Sequence, residues 1–193
     1  MSDDRRAKRE PAPLRGPFST RSAAARRRIL WISGALALAV WIFLAIQDSQ
    51  IKDSGGPGII AFEVAGTEEE AEEILEEWGP PGRDDARVSV LVDFPYLIAY
   101  AVFLAVGCTI ASERFARRGM TRLAGIGPLL GWSMLAAAAF DAIENVAMLR
   151  VIESHTATWP AVALYAATPK FALAGLGLAY VIAGAIIGRR SAQ

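Results

Sequence analysis

Asp93, Asp141, Glu144 and Lys170 each stand inside an apolar run long enough to cross a membrane. A charged side chain at the bilayer centre costs about 2.5–3.5 kcal/mol on insertion scales unless it meets a partner or water, so such residues mark candidate functional sites. At 1.5 Å of rise per residue, Asp93 and Glu144 lie roughly 8 Å in from the outer ends of their runs, Asp141 roughly 12 Å and Lys170 roughly 15 Å. Helical phase groups them further. Asp141, Glu144, Asn145 and Met148 share one face by the 3, 4 and 7 spacing, and Asp93, Tyr96 and Tyr100 share another. Lys170 shares its face with Ala163, Ala166, Ala167, Ala174 and Gly177, a ridge of small residues of the kind that lets membrane helices pack closely. The expected product is a polar pocket in the outer half of a bundle, lined by Asp93, Tyr96, Tyr100, Asp141, Glu144, Asn145 and Lys170.

Three acids and one base would leave a surplus of charge if all were ionised. Burial and like charge both raise a carboxyl's proton affinity, so at least one of Asp141 and Glu144 is expected to be protonated at neutral pH. Such a group suits ligand binding, proton-coupled transport, general acid/base chemistry or a hydrogen-bonded lock that fixes helix register. Other chemistries are excluded. With one cysteine, Cys108, and one histidine, His155, a single chain can build no disulfide, no Cys-x-x-Cys pair and no multi-histidine metal or haem centre. His155 reads as a solvated residue of a short connection. No phosphate loop, metalloprotease helix or nucleophile elbow appears, and neither cofactor nor metal is expected.

The elements that must position these residues follow from charge blocking. The 193 residues carry 20 basic and 20 acidic side chains, 53% of the chain is apolar, and the net charge is zero. The zero hides segregation: residues 1–28 hold nine Arg/Lys and three acids, whereas residues 47–87 hold three Arg/Lys and twelve acids. Runs of about 20 apolar residues give four spans, at about 29–46, 88–111, 123–149 and 160–188. The first has the charged front of a signal peptide but no Ala-x-Ala exit, and reads as a retained anchor. Arg-rich segments at the amino terminus, at 113–122 and at Arg189 and Arg190 all fall on one side, which the positive-inside rule makes cytoplasmic. The tail 1–28, rich in Arg and Pro, is expected to be disordered and to serve topology and attraction to anionic lipids, with no nucleic-acid role.

The acidic 47–87 segment is long enough to need structure of its own. Thr67-Glu68-Glu69-Glu70 is a capping box, and Ala71, Ile74, Leu75 and Trp78 follow on one helical face, with glutamates opposite and Gly79 as terminator. Pro80-Pro81-Gly82 reads as a linker out of that helix. Ile59-Ile60-Ala61-Phe62-Glu63-Val64 reads as an apolar stretch that dips into the interface or packs over the helix ends, and the sequence names no partner for Glu63. Gly127-x-x-x-Gly131 and Gly184-x-x-x-Gly188 are close-packing motifs that suit oligomers or packing within one chain.

Phe62-Glu63-Val64-Ala65-Gly66-Thr67, Ile74-Leu75, Trp78, Val92-Asp93-Phe94 and Asp141-Ala142-Ile143-Glu144-Asn145 together resemble a group of uncharacterised bacterial four-helix integral membrane proteins, over roughly residues 58–187. The resemblance implies that the external helix and the bundle are one unit, and brings no activity with it. In architecture alone, carboxylates in a four-helix membrane cavity are also similar to the sterol-isomerase-like EXPERA group. The expectation is an all-α, four-span bundle with an external amphipathic helix between spans 1 and 2, in the cytoplasmic membrane with both termini inside. Three roles compete. One is binding or transport of a small or lipidic ligand. Another is an accessory protein whose partners are membrane helices and whose buried charges are structural. The third is a membrane enzyme using paired carboxylates.

Overall fold

A computed structural model describes residues 14–154 and 157–189. The order is α1 (Ala23–Asp53), α2 (Ile59–Val64), α3 (Glu68–Arg117), α4 (Thr121–Ser154) and α5 (Trp159–Arg189), with no strand among the described residues. Four of these helices are long and apolar enough to cross a membrane, as in a multi-pass membrane protein. α3 is central and packs against α1, α4 and α5; α4 and α5 also pack on each other, and α2 lies chiefly on α5. The core forms three levels. One end gathers Ile51, Phe62, Leu75, Trp78, Met148 and Val151; the middle gathers Leu97, Tyr100, Leu104 and Met134; the other end gathers Cys108, Phe115 and Tyr180.

The expected external helix and second span share one long element, and two prolines expected to form a linker lie inside it. The reason is local. Gly79 takes φ 58 and ψ −172, a conformation that side-chain-bearing residues rarely adopt, and the helix restarts at once through Pro80 and Pro81. Proline suits a first helical turn because its missing N–H has no partner there in any case. The break directs the 68–78 arm over the end of the bundle. Thr67 and Glu70 complete the expected capping box, and the Trp78 indole, 1% exposed, donates to the Pro57 carbonyl at 2.6 Å and stacks at a tilt on Phe62 at 4.9 Å. The 59–64 stretch is therefore a short helix packed over the ends of its neighbours.

A second correction concerns the tail. Residues 1–13 lie outside the described residues, but residues 14–22 follow a defined course instead of being disordered, and α1 begins at Ala23. The Thr109 hydroxyl donates to the Pro17 carbonyl at 2.7 Å and the Trp132 indole donates to the Arg15 carbonyl at 2.9 Å, seating the segment against α3 and α4. Arg26 is buried, pairs with Glu113 at 2.7 Å and donates to the Ser19 and Arg21 carbonyls. Composition reads such a segment as unable to bury enough apolar area, yet it is held by its own backbone carbonyls and one buried guanidinium.

The close-packing glycines act within the chain. A Cβ on Gly131 would meet Pro17, and one on Gly184 would meet Ala111. Trp31 and Trp41 stand exposed, while Trp78 does not. His155 lies outside the described residues.

Gly79→Ala is expected to cost about 1–3 kcal/mol, the range for a non-glycine residue held in a sparsely populated backbone region. Thermal unfolding of the purified variant checks this, and an unchanged midpoint would show that the arm docks without the glycine hinge.

Candidate functional site

Lys170 projects from α5 into the space between α4 and α2. Its Nζ lies 2.7 Å from Glu144 Oε1, 3.3 Å from Asp141 Oδ1 and 3.5 Å from Glu63 Oε2. The Phe171 ring centroid is 4.3 Å away. Three elements therefore meet at one ammonium. α4 supplies Asp141 and Glu144 because residues three apart share a helical face, α5 supplies Lys170 on its small-residue ridge, and α2 supplies Glu63. Beside them, the Asn145 amide donates to Asp93 Oδ2 at 2.8 Å, which ties α3 to α4. Tyr96 and Tyr100 follow Asp93 on the same face of α3, with ring centroids 5.3 Å apart.

Six of the seven residues expected to line a polar pocket do so: Asp93, Tyr96, Tyr100, Asp141, Asn145 and Lys170 border a cavity of about 740 Å³. That volume lies within the range of small-molecule sites. Glu144 is the exception. It is fully buried and lies behind Lys170, outside the cavity lining, where it holds the ammonium in place. Glu63 was not among the expected residues, yet it both lines the cavity and pairs with Lys170. Its signal was available: it is the single charge in the apolar stretch 59–64.

Apart from Ser89, the remaining cavity lining is apolar or aromatic and comes largely from α1 and α5. α1 contributes Gly34, Ala37, Leu38 and Trp41, and α5 contributes Phe171, Ala174, Gly175 and Leu178. These two helices form no packed interface with each other, so the cavity lies between them, over α3. The polar floor is incompletely satisfied. Glu63 Oε2, Asp141 Oδ1 and Glu144 Oε2 are buried without a hydrogen bond, although Glu63 and Asp141 remain within ion-pair reach of Lys170, and the buried Tyr100 hydroxyl has Asp141 as its hydrogen-bonding neighbour.

Among the described residues no three His, Cys, Asp or Glu side chains are arranged to hold a metal ion. The converging carboxylates of Glu63, Asp141 and Glu144 instead surround an ammonium already covalently in place. Cys108 is a buried free thiol far along the chain's core from this floor, near the Gly177 carbonyl at 3.9 Å.

Comparison of the chain with protein-family models, with curated proteins and with solved structures finds no match.

Breaking a buried ion pair by removing one partner costs about 3–5 kcal/mol, because the charge left behind is uncompensated. Lys170→Met should therefore destabilise the purified chain by about that amount, and Lys170→Met with Glu144→Gln should recover a large part of it. Additive losses in chemical or thermal unfolding would show that the pair is not coupled.

Glu63 gives a pH signature. Burial raises its carboxyl above the ordinary 4.5; Lys170 opposes that rise and Asp141 adds to it. A carboxyl raised on folding supports the native state below its unfolded value and loses that support as pH rises through its folded value. Glu63→Gln should therefore gain stability relative to the parent as pH is raised above about 4.5. Parallel pH profiles of unfolding would contradict the assignment.

Proposed function

We infer that this chain is an integral protein of the cytoplasmic membrane that binds, and in doing so carries or presents, a small or lipidic ligand in the outer half of its bundle. The observation that carries this reading is the cavity between α1 and α5, with largely apolar walls and a floor where Asp93 and Tyr96 stay partly exposed beside the buried Tyr100 and Asp141. A bundle needing charges only to fix its register would close over them. Here Glu144, Asp141 and Lys170 serve that architectural role, while Asp93 and Tyr96, only partly buried, border open space.

Orientation is inferred from charge. The Arg26–Glu113 pair, the Arg114 bond to the Gly184 carbonyl and the Arg118 bond to the Ile187 carbonyl gather at one end of the helices. The acidic arm 68–78, α2 and the Arg87–Glu153 pair gather at the other. The positive-inside rule then puts the basic end in the cytoplasm and the cavity nearer the outer surface.

Mass spectrometry of gently extracted protein tests the reading. An equimolar lipid or metabolite is expected to accompany the parent chain and to be lost from Gly175→Trp. Gly175 lines the cavity and a Cβ there meets nothing within 4 Å, so a bulky side chain starts into open space. Loss of the molecule with an unchanged unfolding midpoint supports a ligand site; a parent chain that emerges empty speaks against it.

A further inference from the structure

The charge at the cavity floor restricts what can bind there. Four carboxyl groups, Glu63, Asp93, Asp141 and Glu144, are gathered around one base, Lys170, a formal excess of three negative charges when all are ionised. The Lys170 ammonium donates to Glu144 at 2.7 Å and has Asp141 at 3.3 Å and Glu63 at 3.5 Å within ion-pair reach. Lys170 is therefore engaged inside the protein and is not offered to an incoming phosphate, sulfate or carboxylate.

What remains toward the cavity is of the opposite character. Asp93 is only half buried, and the Asn145 amide occupies one of its two carboxylate oxygens, Oδ2. The side chains of Trp41, Tyr96, Tyr100 and Phe103 also border the space. Aromatic faces attract cations through the ring quadrupole, tryptophan most strongly, and the attraction grows when the site is shielded from water. An acid backed by aromatic rings is a receptor for an organic cation.

Shape restricts the ligand further. α1 and α5 do not pack together, and Leu38, Trp41, Phe171 and Leu178 line the gap with their side chains exposed. In a bilayer this gap faces hydrocarbon. A molecule whose polar part sits on Asp93 therefore has its apolar part between α1 and α5, in contact with lipid chains.

We propose that the cavity takes an amphiphile with a positively charged nitrogen headgroup, which enters sideways from the bilayer between α1 and α5 and seats its cation on Asp93 and the ring of Trp41. This rests on the ligand-binding reading above and adds the chemical class and the route.

Three probes with one chain length separate the possibilities: dodecyltrimethylammonium, dodecanol and dodecyl sulfate, each added to the full chain in dodecyl maltoside and counted as one-to-one adducts by native mass spectrometry. The ammonium probe should be retained at least tenfold more than the sulfate. Asp93→Asn, which keeps a hydrogen-bonding group beside Asn145, should lower ammonium retention at least tenfold while leaving dodecanol unchanged. Trp41→Ala, at a residue 54% exposed, should lower it severalfold with the unfolding midpoint checked alongside. Equal retention of the three probes, or ammonium retention that neither substitution lowers, overturns the cation assignment and leaves the ligand cavity standing. Adducts of no probe, or adducts that Gly175→Trp does not diminish, overturn the cavity reading itself.

Discussion

The bundle depends on the placement of one ammonium. Lys170 Nζ is bound by carboxylates from α4 and α2, and Asp93 of α3 is joined to the same patch through Asn145. Desolvating these charges is expensive, and the cost is met only when all partners arrive together. That requirement explains α2. A six-residue helix has no stability of its own in water, and it persists here because Phe62 packs on Trp78 while Glu63 reaches Lys170. The segment between α1 and α3 is thereby folded into the bundle. The Gly79 turn is its geometric counterpart, aiming the 68–78 arm so that Trp78 covers Phe62 and the Pro57 carbonyl.

The same pairing divides the charged residues into two kinds. Glu144 and Lys170 face each other in a dry interior and fix how α4 meets α5. Asp93, Tyr96 and Tyr100 belong to α3 and face outward from that lock toward a space the remaining helix does not fill. A single polar patch can therefore be rigid on one side and open on the other, which is the arrangement a preorganised binding floor requires.

Much of this was legible in the sequence because it follows from periodicity. Spans of about 20 apolar residues, the capping box at Thr67, and the shared faces of Asp93 with Tyr100 and of Asp141 with Asn145 depend only on spacing. What escaped is non-local or depends on backbone atoms. Glu63 looked partnerless because its partner lies 107 positions away on another helix. Glu144 shares a face with Asp141, but helical phase does not say which residue of a face will be covered by a neighbour's lysine. Pro80 and Pro81 signal a break equally well whether they end a helix or begin one, and only the conformation of Gly79 decides. The tail at 14–22 is held by carbonyls of Arg15 and Pro17, groups every residue possesses and no composition can reveal.

α1 is the element whose attachment is least uniform, and its attachment governs the cavity. At the basic end Arg26 grips Glu113 and the preceding segment is pinned to Thr109 and Trp132. At the acidic end Ile51 is fully buried in the cluster around Trp78. Between these fastenings α1 buries Ser33, Ala37 and Gln47 and meets α3 where Gly34 admits the Phe103 ring, and it turns Trp31, Leu36, Leu38 and Trp41 outward. A helix fastened at both ends and packed on α3 along one face can keep a fixed position along the bundle while the gap toward α5 stays unpacked. The cavity is thus a consequence of where α1 is fastened as much as of the charges at its floor. The two features belong together: the Lys170 cluster holds α4, α5 and α2 so firmly that the space left by α1 does not collapse.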